Sequence, residues 1–573
     1  MRKNISAIIL SILLIVPIFY VALCILFDLP ITSSFNVLNE LYTQSYILER
    51  ALKVQVYIAA AYSILPFLFT IMTIIAKWKK SIYGYAAFAT IETIKKMELN
   101  FKKGFTLCLF KGKTTKTEDT RSTLVVAAPG TGKTSGVIVP NLLTIKTSAI
   151  VLDIKGEIEA LTSEYRRKVF KNEILILNPF GSDNNFHFNP FDKDVIKGII
   201  KDRRASANPI DLDENFDFSI KMEIVKRLSN LLFKENKNED PYWKKSARTL
   251  FILFAMYDIE KRGSTDFYRL MRYPRMAREE LLNDEVFEKA QEHEETEEIK
   301  LDDLKLFFNQ VENDLSINVM LRDTARAVQK MNQKEFNSCL NMYATALEVF
   351  TDYRVKKVVE SMSFKYEDLR KKNITIYLKL LEDDIETLSP LINIFLETVG
   401  RSLLRKENND PNQRIDFYLD EFVRFGRNPF ILELPGLSRS YNIPSTFVVQ
   451  TSSQVKKHYS LEDLEIISAT CVYNIIFTIS DFNYAKMISE SIGNLTRNKE
   501  SNTSQFSKAF GSTNKSDEGY ALLTPQDLMN IPKNEVIISV FGHKATPIKG
   551  KINYYFKNRS LKKIIKKYSK KEK

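Results

Sequence analysis

The sequence predicts an α/β protein with a mostly parallel sheet, preceded by two apolar segments of membrane-crossing length. Three observations carry this. The apolar β-run Leu124-Val-Val-Ala127 enters a glycine-containing turn and then a helical stretch. Further β-runs at 149–153, 415–421, 445–450, 470–478 and 535–540 recur between helical stretches, the alternation from which parallel sheets are built. Residues 5–27 and 56–76 are apolar runs, the second interrupted by Pro66, each close to the roughly 20 residues that span a bilayer core.

The flanks of those two runs set an orientation. Arg2 and Lys3 precede the first, and Lys77, Lys79 and Lys80 follow the second beside Trp78. The intervening segment 28–55 carries Arg50 and Lys53 against Asp28, Glu40 and Glu49. Positive residues collect on the cytoplasmic side, so both termini are expected there, with a short external loop and everything after residue 80 in the cytosol. A cleaved signal peptide and a buried helical hairpin are the alternatives. No small-x-small cleavage site follows the first run, and Leu23 is too bulky for a lipoprotein site at Cys24.

Composition narrows the class. At 573 residues the chain exceeds one hydrophobic core, so two or more domains are expected. An apolar content of 44% with 27% charge excludes wholesale disorder and fibrous repeats. Cys24, Cys108, Cys339 and Cys471 are widely spaced, which argues against a disulfide framework or zinc module and for a reducing compartment. The net charge of +13 leaves nucleic acid, a membrane surface and simple solubility all open.

The turn after Val126 reads Ala127-Ala-Pro-Gly-Thr-Gly-Lys-Thr134, then Ser-Gly-Val-Ile-Val and Pro140-Asn-Leu-Leu143. Strand, glycine turn and helix form the context of a phosphate-binding loop. Gly130 and Gly132 let backbone N–H groups close on phosphate oxygens, and the helix N-terminus adds its dipole. Lys133 reaches the β- and γ-phosphates, and the Thr134 hydroxyl suits Mg²⁺. Ala127 departs from the strict pattern, which has glycine there. The run Ala149-Ile-Val-Leu-Asp153, continuing to Glu157, fits a second parallel strand whose polar end faces the nucleotide.

Ile415-Asp-Phe-Tyr-Leu-Asp-Glu421 is an apolar strand ending in adjacent acids. A phosphate-loop ATPase needs such a strand, expected beside the first, with Asp420 holding Mg²⁺ through water and Glu421 polarising the attacking water. A third run ends at Gln450, placed to sense the γ-phosphate or orient water, and Arg439 precedes it on a helix. Taken alone, Gln450 and Arg439 read as exposed polar side chains before they read as functional ones.

The ordered series now resembles a known family, the coupling ATPases of type IV secretion and bacterial conjugation. Two N-terminal spans come first, then Tyr83-Gly-Tyr-Ala-Ala-Phe-Ala89, the phosphate loop with Pro140-Asn-Leu-Leu143, and Asp153-Ile-Lys-Gly-Glu157. Asn189-Pro-Phe191, Asp240-Pro-Tyr-Trp243 with Ala247-Arg248, Leu419-Asp-Glu-Phe422, Arg439-Ser-Tyr-Asn-Ile443 and Gln450-Thr-Ser-Ser-Gln454 follow, closed by Leu523-Thr-Pro525 and Ile552-Asn-Tyr-Tyr555. The resemblance covers roughly residues 1–556. It implies a RecA-like ATPase domain that assembles as a homohexamer in the bacterial inner membrane and uses ATP and Mg²⁺. Its implied partners are DNA with a bound relaxase, or protein effectors, together with type IV secretion channel components. Carried over by position, the nucleotide-binding set is Ala128, Pro129, Gly130, Thr131, Gly132, Lys133, Thr134 and Ser135, with Thr134 and Asp420 toward the metal. Lys133, Asp420, Glu421, Arg439 and Gln450 are the implied catalytic set, Arg439 acting as a finger into a neighbouring subunit.

The expected organisation is an anchor at 1–80, a nucleotide-binding domain in two parts, 81–261 and 337–556, an all-helical insert at 262–336, and a basic tail at 557–573. Residues 279–303 carry a net charge of −10, and are either a solvated face or a docking surface for a basic signal on the substrate. The tail carries +8 and is either a solvated end or a contact to DNA or anionic lipid. Residues 497–518 read as a mobile polar loop. Two other activities remain open: a receptor for protein effectors whose ATPase serves assembly, and a septal-type DNA translocase.

Overall fold

The structure, a computed structural model, describes residues 83–573 except 210–211, 235–240, 283–300, 504–511 and 571–573, with isolated positions before residue 83. The chain divides into two compact units, Met1–Tyr85 with Leu495–Tyr520, and Ala86–Asn494 with Ala521–Lys573.

The second unit is organised by an eleven-stranded sheet. Its strands are β1 (Phe105–Phe110), β2 (Lys113–Thr117), β3 (Thr123–Val126), β4 (Ser148–Ile154), β5 (Glu173–Leu177), β6 (Ile374–Leu380), β7 (Ile415–Leu419), β8 (Ser445–Val449) and β9 (Tyr473–Ile476). A two-stranded ribbon, β10 (Asn494–Thr503) with β11 (Ser512–Ala521), is separate, and β12 (Glu535–Val540) and β13 (Ile548–Lys551) complete the large sheet. The order is β2-β1-β13-β12-β9-β3-β8-β7-β4-β6-β5. From β9 to β5 every pairing is parallel, while β12, β13, β1 and β2 continue the sheet antiparallel. Strands β3, β7 and β8 are buried at every position. That is why they read as mainly apolar runs, with the buried Asp416 of β7 paired to Arg414: helices cover both faces of a parallel sheet.

The helices that shape the site are α1 (Val139–Leu142), α2 (Glu157–Tyr165), α3 (Ile385–Leu403), α4 (Pro429–Tyr441), α5 (Ser452–His458) and α6 (Arg559–Tyr568). A π-helical turn, Thr134–Ile138, leads into α1, and the Val139 N–H bonds back to Thr134 O. This wider turn accommodates Pro140, whose ring would crowd the carbonyl four residues back in a regular helix.

Several expectations are corrected. The acid strand β7 does not adjoin β3, because β8 lies between them, with Leu124 and Leu419 both registered on Phe447. Two strand spacings are about 10 Å, a gap that long side chains cross. The stretch between Trp243 and β7, expected to lack strands, contains β6, whose seven residues include six buried ones. Part of the expected polar loop 497–518 is instead β10 and β11, which a backbone hydrogen-bond ladder holds without an apolar period. The C-terminal segment is not simply a solvated end, since Arg559–Tyr568 is a docked helix.

The expected multi-pass membrane localisation is also corrected. Among the described residues no helix is long and apolar enough to cross a membrane. The segments 5–27 and 56–76, on which that expectation rested, lie almost entirely outside the described residues. The acidic segment 279–303 lies mostly outside them as well.

Helices Phe267–Arg272, Leu301–Asn313, Val319–Gln329 and Gln333–Leu347 lie in the second unit. Phe307, Phe308, Leu321 and Phe336 share one hydrophobic cluster with Phe254 and with the sheet residues Leu378 and Leu419.

Arg166 is fully buried just after α2. It donates to Leu142 O and Ile145 O at 2.7 Å, Thr147 O at 2.5 Å and Thr375 Oγ1 at 2.8 Å. The guanidinium therefore caps the carbonyl end of α1, where a cation is favoured. An Arg166→Met variant leaves these buried acceptors unpaired. Denaturant titration is expected to show a loss of roughly 3 kcal/mol or more.

Candidate functional site

The carboxyl ends of β3, β4, β7 and β8 open into a cleft of about 1180 Å³, lined by Gly130, Gly132, Lys133, Thr134, Asp420, Glu421 and Gln450 among others. Parallel strands deliver their carboxyl ends to one edge, which is where ligands bind in open α/β sheets. Gly130 and Gly132 have φ of +73° and +85°, values that permit the turn and disfavour any side chain there. Thr131 secures the turn by donating from Oγ1 to Ala128 O at 2.7 Å. Ala127 is wholly buried, and its N–H bonds Val449 O at 3.1 Å, so a small side chain fits where the strict pattern has glycine.

Lys133 Nζ lies 2.9 Å from Glu421 Oε1 and 3.2 Å from Asp420 Oδ1. Thr134 Oγ1 donates to Asp420 Oδ2 at 3.1 Å, and Gln450 Nε2 donates to Glu421 Oε1. Burial pushes the Asp420 carboxyl up, and the Lys133 ammonium offsets part of that shift. Glu421 adopts φ +53°, a left-handed backbone uncommon for a residue with a side chain and found where structure is held for function. The structure thus brings together Lys133, Thr134, Asp420, Glu421 and Gln450 from three strands.

Arg439 is placed elsewhere. It is exposed on the last turn of α4, at the edge where β7 and β8 begin, beside Arg414 and Lys146 in a second cavity of about 430 Å³. The five residues of β7 span about 17 Å, so Arg439 does not enter its own chain's cleft.

Asp420 Oδ1 is buried and makes no hydrogen bond, although the ammonium is near. With the Thr134 hydroxyl, it fits Mg²⁺, which takes one or two protein oxygens and keeps waters and phosphates for the rest. Among the described residues no group of three or more His, Cys, Asp or Glu side chains is placed to hold a metal ion.

Four features escaped the sequence reading. Arg424 Nη1 lies 3.4 Å from Glu421 Oε2 and 3.2 Å from Glu382 Oε1, tying the acid to the loop after β6. Glu382 was invisible as long as β6 was. Asp153 is buried and accepts from Ile158 N at 3.2 Å and Glu159 N at 2.7 Å, capping α2 across the left-handed pair Lys155 and Gly156. Asn141 exchanges hydrogen bonds with both Thr106 N–H and Thr106 O, fastening the phosphate-loop helix to β1. The single Tyr554 hydroxyl proton is shared between Lys533 O at 2.6 Å and Thr131 O at 2.9 Å, and a Cβ on Gly132 would lie 2.5 Å from its ring. The second loop glycine is thus required by a neighbouring side chain as well as by the turn. Only an aromatic doublet, Tyr554-Tyr555, signalled this in sequence.

With this geometry in hand, comparisons with known proteins locate the chain. Residues 85–573 match the family model described as type IV secretory system conjugative DNA transfer. The chain is 25% identical over 450 residues to the protein VirD4 of Agrobacterium fabrum, covering 77% of this chain and 60% of that protein. It is 23% identical over 466 residues to the conjugal transfer protein TraG of Escherichia coli, covering 76% and 67%. The chain therefore spans about three fifths of the length of the VirD4 proteins it matches. Among solved structures, the unbound bacterial conjugative coupling protein TrwBdeltaN70 superposes with a TM-score of 0.56 at 15% identity, covering 83% of this chain and 94% of that one. The plasmid coupling protein TrwB in complex with ADP and Mg²⁺ gives a TM-score of 0.54 at 14% identity, covering 83% and 95%.

Asp153 also gives the site a pH signature. Burial raises its carboxyl to about 7, against the two backbone N–H bonds that lower it, and the carboxylates of Glu159 and Asp420 raise it further. The unfolded chain releases this proton near pH 4, whereas the folded chain holds it to about 7. Its contribution to stability therefore falls as pH rises through that window. In nucleotide-free and metal-free buffer, Asp153→Asn is expected to reduce the loss of unfolding free energy between about pH 5 and 7 by up to about 3 kcal/mol, read by denaturant titration.

Proposed function

The chain belongs to the type IV secretory system family for conjugative DNA transfer, and we propose that it is a coupling ATPase that binds ATP with Mg²⁺ and uses hydrolysis to pass DNA, with its relaxase, to a transfer channel. The carrying observation is the convergence of Lys133, Thr134, Asp420, Glu421 and Gln450 at one sheet edge. The similar fold of TrwB, described in complex with ADP and Mg²⁺ and with an ATP analogue, supports the choice of ligand.

In this reading the phosphates of ATP compete with Asp420 and Glu421 for the Lys133 ammonium. Thr134 and Asp420 would hold Mg²⁺, which would neutralise phosphate charge. Once Lys133 turns to the phosphates, Glu421 remains held by Gln450 and Arg424 and is free to accept a proton from the attacking water. Backbone N–H groups of Gly130 and Gly132 receive the phosphates, continued by those of Lys133, Thr134 and Ser135, while the N–H groups of Ala128 and Thr131 hold the loop by bonding Thr478 O at 3.1 Å and Ala128 O at 3.3 Å. Arg439, exposed at the far edge of the sheet, serves a neighbouring subunit's site in a homohexameric ring. The segment 262–336, expected from the sequence as an all-helical insert, is the part we assign to meeting the incoming substrate.

Three variants test this. Lys133→Ala is expected to abolish measurable nucleotide binding and turnover. Glu421→Gln is expected to keep nucleotide binding while slowing turnover by roughly 10²–10⁴-fold. Arg424→Gln, which leaves Glu421 with one fewer tether, is expected to lower kcat by about tenfold with KM nearly unchanged. Equal loss of binding and turnover in Glu421→Gln would remove it as the base. Crosslinking in cells is expected to recover DNA with the chain, and recovery of protein cargo alone would overturn the DNA assignment.

A further inference from the structure

After β13 the chain runs along the phosphate loop as an extended strap. Besides the Tyr554 hydroxyl on Thr131 O, the Tyr555 N–H donates to Ser135 O at 3.1 Å. A Cβ on Gly136 would lie 2.3 Å from Ile552, so glycine there is what lets the strap approach the helix. The strap leads into α6, whose Leu561 is buried against Val139 and Leu143, with Ile564 and Ile565 packed alongside Leu161 and Tyr165. The rings of Tyr568 and Tyr165 meet edge-on at 5.4 Å. Beyond the helix, Lys570 returns to α2: its N–H bonds Ala160 O at 3.0 Å and its Nζ reaches Glu159 Oε1 at 2.5 Å. Both ends of α6 are therefore pinned.

Pinning one face determines the other. Leu561, Ile564, Ile565 and Tyr568 follow the spacing of an apolar helix stripe, so Arg559, Lys562, Lys563, Lys566 and Lys567 fall together on the opposite side. All five are exposed, and among the described residues none pairs with a carboxylate. Two of the three acids of α2 are engaged elsewhere, Glu164 by Arg167 and Lys168 and Glu159 by Lys570, and the third, Glu157, lines the nucleotide cleft. Like charges one turn apart, as in Lys562 with Lys566 and Lys563 with Lys567, oppose helix formation. A ten-residue helix nevertheless presents them along about 15 Å.

We propose that this exposed basic face of α6 is a DNA-contacting surface. The inference rests on the coupling-ATPase reading, which supplies the polyanion, and adds where on the chain it is held. Cations without acidic partners on a rigid stripe suit a phosphate backbone, since each contact releases a condensed counterion without reading sequence. The position also places DNA one helix layer from the nucleotide, because α6 packs on α1 and α2 and the first residue of α2, Glu157, lines the cleft.

The test uses the full chain with Lys562, Lys563, Lys566 and Lys567 all changed to Gln, and a second variant with all four changed to Arg. Neither alters the apolar residues, Lys570 or the nucleotide cleft, the one contact changed among the described residues being that of Lys567 Nζ, 5.1 Å over the Tyr568 ring. Binding to a fluorescent random-sequence duplex is followed by anisotropy from about 50 to 200 mM salt. The Gln variant is expected to show a log–log salt slope shallower by about 3 to 4 and at least roughly tenfold weaker binding at about 150 mM salt. The Arg variant is expected to match the wild type, and ATP turnover without DNA to be the same in all three. An unchanged slope in the Gln variant overturns the inference alone. So does loss of binding to phosphatidylglycerol vesicles with DNA binding intact, which would make the surface lipid-facing. A wild-type chain that hydrolyses ATP but does not bind DNA overturns the inference together with the DNA-transfer reading.

Discussion

The ammonium of Lys133, held between two carboxylates, is the interaction on which the rest of the site depends. Asp420 is buried, and its burial favours the neutral acid. A cation within 3.2 Å offsets part of that burial cost by favouring the charged form. Because the sheet is parallel from β9 to β5, the loop after β3 and the acids after β7 emerge at the same edge, and β8 between them supplies Gln450. The left-handed turn at Glu421 and its tether to Arg424 aim the second carboxylate back across β8 toward the same nitrogen.

Cations elsewhere hold the sheet's connections in place. Arg166 closes the carbonyl end of α1. Arg370 does the same at the opposite edge, donating to Tyr441 O at 2.5 Å and Gln413 O at 2.7 Å, with Asn442 O at 3.3 Å. Burial lowers its guanidinium to about 10. The turn so held is the one from which Arg439 projects. The net charge of +13 is thus not one surface but several. Some cations are structural and buried, others, Lys133 and Arg424 among them, line the cleft, and a stripe on α6 faces solvent.

The strap from Ile552 to Lys570 changes what the phosphate loop means physically. Gly132 and Gly136 are read most simply as room for phosphate and for a helix turn. Here the same two positions also leave room for Tyr554 and Ile552. The loop's backbone is therefore gripped from outside by the end of the chain, and α1 is covered by α6 before any ligand arrives.

Much of this was legible in the sequence alone. The strand–glycine–lysine order, the acid pair closing an apolar run and the glutamine closing the next are local patterns, and local patterns survive in one dimension. They determined the α/β class, the phosphate loop, and Lys133, Thr134, Asp420, Glu421 and Gln450 as candidates. The sequence could not show that β8 separates β3 from β7, because strand order is set by crossover connections and packing. Nor could it reveal β6, whose run lies in a helix-rich region. Arg424, Glu382, Asp153 and Tyr554 matter through partners up to 423 residues away, as with Tyr554 and Thr131. The basic tail shows the division most clearly. Its charge was plain from composition, but whether those cations formed a diffuse end or a single stripe was decided by Leu561, Ile564 and Ile565 finding an apolar seat on α1 and α2.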